Sequence, residues 1–124
     1  MGIYLDHAAT TYTDKTVFNA MRPYFEEYYG NSSSQHGFGR AAEKAVMAAR
    51  SQVAALIGAD EGDIYFTSGG TESDNWAIKG VAEAAGCGHI ITSSVEHHAV
   101  LETCQYLRSR GFDVTYLPVD GHGR

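Results

Sequence analysis

Long apolar runs and a surplus of positive charge are both missing from this chain. No stretch approaches the roughly 20 apolar residues that a membrane-spanning helix needs, so a membrane partner is not expected. Lys and Arg number 9 against 15 Asp and Glu, a formal net charge of −6. The carboxylates are spread along the chain, which argues against nucleic acid as the main partner, because phosphate backbones need clustered Lys and Arg. Cysteine is scarce: Cys87 and Cys104 are too few for a disulfide framework, and a reduced, cytoplasmic setting is expected. The opening "MGIYLDHAATT" turns polar within six residues, unlike a secretory leader. Asp6 stands where a myristoylation pattern needs Ser or Thr. No internal repeat or low-complexity tract is visible.

What remains is a chain of 124 residues, 44 % apolar, enough for a globular domain with a core. Asp14 can cap a helix carrying Val17, Phe18, Met21 and Phe25 at helical spacing, with Pro23 expected to end or kink it near Arg22. "GNSSSQHGFGR", Gly30 to Arg40, reads as a loop by composition. From about Ala41 to Ile57, Ala42, Ala45, Val46, Ala49, Val53, Leu56 and Ile57 form an apolar helical stripe, and Gly58 is a natural C-terminal cap. Strands are expected at 63–67, 89–93 and 113–117, and helices at 71–85 and 94–110, with Gly111 closing the last. Strand and helix alternate, so the fold class is α/β with a mostly parallel sheet and flanking helices. The end at "PVDGHGR", directly after the third strand, suggests part of a larger protein.

The most informative stretch is "TSGGTESDN", Thr67 to Asn75. It leaves an apolar run and enters a helix. The first N–H groups of a helix have no internal acceptor and carry partial positive charge. Glycines allow close approach of an anion and a Thr hydroxyl adds a donor. Gly70 and Thr71 are therefore candidates for a phosphate monoester. Neither the Gly-Lys-Ser/Thr pattern nor G-x-G-x-x-G is present. The same residues also suit a tight turn with Thr71 as helix cap and Glu72 or Asp74 favouring the first turn.

"SSVEHHAVL", Ser93 to Leu101, places Glu96, His97 and His98 at a second helix start. A histidine there can stack on a planar ligand, move a proton, bind metal, or simply cap. Metal is the weaker reading, because neighbouring helical residues diverge by about 100° and no second cluster with zinc spacing exists. Asp6 and His7 in "LDHAATT", and His36 beside Ser33 and Ser34, suit active-site walls or plain turns. Cys104 falls on the apolar side of its helix and is expected to be buried, Cys87 to be exposed in a loop, and Lys79 to be solvated. None of these is read as a nucleophile.

"YLDHAATT", "NSSSQHGFGR", "FTSGGTESDN", "IITSSVEHHAVL" and "GFDVTYLPVDGHG" occur in this order. Together they resemble the N-terminal part of a cysteine desulfurase of the NifS/IscS type, in the class V aminotransferase group of pyridoxal-phosphate (PLP) enzymes. The resemblance runs from Ile3 to Gly123. It implies the large domain of a PLP-dependent transferase of fold type I, with residues 1–30 as an N-terminal arm and helix bordering the small domain and active site, and 31–124 as the first part of the PLP-binding domain. Gly70 and Thr71 match the pair that binds the PLP phosphate. His97 matches the histidine that stacks on the pyridine ring and can assist proton transfer. One departure is Ser32, where the family usually has proline, which is expected to loosen that loop.

The implied reaction takes sulfur from L-cysteine, leaving L-alanine and an enzyme persulfide for a sulfur-acceptor protein in iron–sulfur assembly or thiolation. The implied enzyme is a cytoplasmic homodimer. Its cofactor lysine, its aspartate facing the pyridine nitrogen and its catalytic cysteine match no position here, so this chain alone is expected to be inactive. The resemblance also implies that 63–67 does not neighbour the other two strands. Alternatives are another class V enzyme, such as a selenocysteine lyase or aminotransferase, a non-catalytic phosphate-binding fragment, and, last, a metal hydrolase using His97 and His98.

Overall fold

The structure, a computed structural model, describes residues 2–124. The chain divides after Tyr65 into two compact units.

The first unit is helical. Helix α1, Lys15–Met21, opens as expected at Asp14, whose Oδ1 accepts the N–H of Thr16 at 2.7 Å. It stops before Pro23, and a single turn, α2 (Pro23–Glu26), follows. The long helix α3 spans Gly37–Ile57, so it begins four residues before the expected start at about Ala41, and the loop ends at His36. The reason is a close approach that composition does not reveal. A side chain at Gly39 would collide with the carbonyl of Ser34, so glycine here serves packing inside a helix rather than looseness. The preceding turn holds without a proline: Asn31 accepts the N–H of Ser33 through Oδ1 at 2.8 Å and that of Ser34 through its carbonyl at 3.0 Å. Gly58, in the left-handed conformation at φ 68°, closes α3. Of the expected stripe, Ala42 is buried, but Leu56 and Ile57 stay 84 % and 64 % exposed; Ala54 is buried instead.

The expected strand at 63–67 is not formed. Glu61–Asp63 make one 3-10 turn, held against α3 by the Ser51 hydroxyl, which donates to Glu61 Oε1 at 2.6 Å. Extended backbone follows at Ile64, φ −94° and ψ 122°, but the sheet of the described residues contains two other strands only. Extended chain becomes strand through ladder hydrogen bonds with a neighbour, and 64–67 lies outside that ladder.

The second unit carries the sheet. Helix α4 (Gly70–Ala85), strand β1 (His89–Ser93), helix α5 (His98–Ser109) and strand β2 (Asp113–Leu117) follow in order. β1 and β2 pair in parallel, His89 opposite Asp113 through Ser93 opposite Leu117. Both strands coincide with the expected spans; α5 starts four residues later than expected, after a turn at 94–96. The β1–α5–β2 crossover makes α5 antiparallel to both strands. The short loop 86–88, opened by Gly86 at φ 73°, returns α4 into β1, so α4 is antiparallel to β1 as well. α4 and α5 therefore lie side by side, pointing the same way. Their core is small and tight: Ala82, Ala99, Thr103, Cys104 and Leu107 are all buried, Leu107 completely. No helix is long and apolar enough to cross a membrane among the described residues.

Candidate functional site

The site is built by that parallel arrangement. Because α4 and α5 run in the same direction, their N-termini open at one end, and their positive dipole ends converge there. Thr71, Asn75 and Lys79 from α4 face His98, Glu102 and Tyr106 from α5 along a cleft of about 350 Å³, which His97, Ala99 and Thr103 also line. On each helix the facing residues recur every four positions, the spacing that keeps side chains on one face. Thr71 and His97, 26 residues apart in the sequence, thus share one cleft.

The start of α4 differs in detail from the turn-and-cap alternative. Gly69, in an extended conformation, is the cap residue and supplies no side chain; Thr71 lies inside the first turn and does not cap. Glu72 reaches back instead. Its Oε2 accepts both the N–H and the hydroxyl of Ser68 at 2.6 Å each, and these two bonds hold the Glu72 carboxyl below the usual carboxylate range. The Thr67 and Ser73 hydroxyls meet at 2.7 Å, and Asn75 Nδ2 donates to the Thr71 carbonyl at 2.9 Å. Within the described residues, no acceptor takes the N–H of Gly70 or Thr71. A Cβ at Gly69 or Gly70 would meet nothing within 4 Å, and neither residue has a left-handed φ. Glycine is required there neither by packing nor by backbone conformation. Its effect is to leave the amide edge open.

The start of α5 is capped by His97. Its backbone is extended, φ −59° and ψ 147°, and its Nδ1 accepts the N–H of Ala99 at 3.1 Å. The His97 and His98 rings are 6.3 Å apart and inclined by 65°, and no cluster of three or more His, Cys, Asp or Glu capable of holding a metal occurs among the described residues.

Sequence alone does not single out Asn75, Lys79, Glu102, Thr103 or Tyr106 as site residues, yet all line the cleft. Asn75 and Lys79 follow Thr71 at one and two helical turns, a signal visible in hindsight. Lys79, expected to be solvated, is half-buried with its Nζ 4.6 Å from the Tyr106 ring centre. Thr103 is 2 % exposed, and its Oγ1 has no hydrogen-bond partner. Cys104 is buried, which pushes its thiol pKa up, and Cys87 is exposed in its loop. His7 lies in a short turn, and His36 caps α3, its Nδ1 accepting the N–H of Gly39 at 3.3 Å; both belong to the first unit.

Comparison with known proteins gives this geometry a family. Residues 3–124 match the aminotransferase class-V family. The chain belongs to that family. Its class-V relatives include cysteine desulfurase IscS of Methanosarcina thermophila, 55 % identical over 98 % of this chain and 30 % of the relative. The putative cysteine desulfurase IscS 1 of Bacillus subtilis is 57 % identical over 98 % of this chain and 33 % of the relative. Among solved structures, a NifS-like protein superposes with a TM-score of 0.89 at 45 % identity, covering 97 % of this chain and 34 % of that one. SspA, solved in complex with cysteine, superposes with a TM-score of 0.84 at 45 % identity, covering 92 % and 33 %. The class-V chain therefore has the fold of these NifS-like enzymes over a region about one third of their length.

Proposed function

We propose that this class-V chain forms the phosphate- and ring-binding portion of a PLP-dependent cysteine desulfurase. The observation that carries the proposal is the sharing of one cleft by Thr71 and His97 at two converging helix N-termini. The open N–H groups of Gly70 and Thr71, with the Thr71 hydroxyl, hold the phosphate monoester. The His97 ring covers the pyridine. The residues present fit the cofactor: unclaimed donors, glycines that leave space, and a planar side chain on the same cleft. When bound, PLP supplies an electron-withdrawing ring that weakens the Cα–H bond of an amino acid substrate. This chain's part is to bind and orient.

L-Cysteine is the substrate we assign, supported by the relatives' names and by the cysteine bound to SspA. The products are L-alanine and sulfur carried as a persulfide to an acceptor protein. Residues 1–30 serve as an arm bordering the active site and the small domain, and 31–124 as the first part of the large domain, in a cytoplasmic homodimer. The test is cysteine turnover by the protein expressed from its complete coding sequence. Alanine and sulfide formation, lost when Thr71 and His97 are both replaced, supports the reading; a PLP-loaded protein that leaves cysteine untouched overturns it.

A further inference from the structure

His97 is the cap of a helix as well as a cleft residue, and the two roles constrain each other. A backbone N–H only donates. With Ala99 N at 3.1 Å from Nδ1, Nδ1 must present a lone pair, so the ring is neutral and its single proton sits on Nε2. We propose that the Ala99 amide is a positioning group that fixes His97 as the Nε2–H tautomer. In that state His97 offers a stacking face and one hydrogen-bond donor at Nε2.

The surroundings reinforce the constraint. A protonated His97 would lose the Ala99 bond, because both ring nitrogens would then donate. It would also place positive charge at the positive end of α5, beside the parallel positive end of α4. The charged and titratable groups on the same cleft are Lys79 from α4, and His98, Glu102 and Tyr106 from α5; Glu96 precedes His97 in the turn and Glu72 is held on Ser68. His36 is held in the same way on α3, with Nδ1 accepting from Gly39, so a histidine cap recurs in this chain. The consequence for catalysis rests on the PLP reading: with the Ala99 bond in place, His97 keeps its ring face and its Nε2 donor available to the cofactor.

The experiment is two-bond ¹H–¹⁵N correlation of the histidine rings in ¹⁵N-histidine-labelled protein at neutral pH, with His97 assigned by its loss in His97→Asn. The expected result is a single tautomer protonated on Nε2. Ala99→Pro deletes the donor at a first-turn position that tolerates proline, and should give His97 a mixture of tautomers. Should that buried site reject proline, His97→Phe removes the cap and keeps a ring, while His97→Asn keeps a cap and removes the ring. His97→Phe should then melt several degrees lower than His97→Asn. A proton on Nδ1 in the unmodified protein, an unchanged single tautomer in a folded Ala99→Pro protein, or equal melting of the two His97 variants overturns the proposal. PLP titration of the same samples is a separate readout: a correct tautomer without PLP binding sinks the cofactor reading and leaves the positioning role standing.

Discussion

The ammonium of Lys79 lies 4.6 Å from the centre of the Tyr106 ring, linking the middle of α4 to the last turn of α5. This contact spans the cleft that begins at Thr71 and His97. A cation over an exposed aromatic face contributes about 0.5–1 kcal/mol. A double-mutant cycle with Lys79→Met and Tyr106→Leu, read by denaturant unfolding, should show coupling of about that size. Additive effects would mean that the ring and the ammonium do not interact in solution.

Thr71→Val keeps the shape of the side chain and removes its hydroxyl. A hydrogen bond to a charged group is worth about 1.5–3 kcal/mol, so PLP affinity should fall by about ten- to a hundredfold. Calorimetric titration with PLP measures this. A change below about threefold would show that the hydroxyl does not reach the phosphate.

The Glu72 carboxylate gives stability a direction with pH. Its pKa is lowered first by the Ser68 hydroxyl and then by the Ser68 amide. A carboxyl with a depressed folded pKa contributes above its unfolded pKa and loses that contribution as pH falls through the folded one. The melting-temperature gap between the unmodified protein and Glu72→Gln should be fully open at neutral pH and close in acid, below the ordinary carboxylate range. A gap independent of pH would remove the charge from the explanation.

Thr103 buries a hydroxyl with no partner. An unsatisfied buried polar group costs about 1–3 kcal/mol, and an apolar group of the same shape removes that penalty. Thr103→Val should therefore raise unfolding stability by about 1 kcal/mol. A loss of stability would indicate that a bound water satisfies the hydroxyl.

The 124 residues alone should release neither alanine nor sulfide from cysteine, and borohydride should fix no PLP on one specific lysine. Electrospray mass and peptide mapping check the second point. A defined adduct at Lys79, the lysine of the cleft, would refute it.

Much of this protein was legible in local sequence. Runs such as "HIITS" and "DVTYL" mark both strands of the sheet, because β-branched and aromatic residues bounded by Gly and polar residues suit a pleated surface. Asp14 and Gly58 mark helix ends through their own chemistry. The motif order that makes Gly70, Thr71 and His97 candidates also indicates a family, and the chain belongs to that family.

Other features depended on contacts between distant residues. Gly39 reads as loop until the Ser34 carbonyl is seen against it. The run at 64–67 carries strand residues, but it lies outside the β1–β2 ladder, and no local pattern shows which segments join a sheet. Thr71 suits a helix cap as well as a phosphate contact by local pattern; in the fold, Gly69 holds the cap position and Glu72 binds Ser68. Periodicity within a segment determined which faces were apolar and where Thr71, Asn75 and Lys79 would align. Tertiary structure alone decided that α4 and α5 run parallel, because that follows from the crossover between paired strands. The parallel packing brings two positive helix ends and the Thr71 and His97 side chains to one cleft.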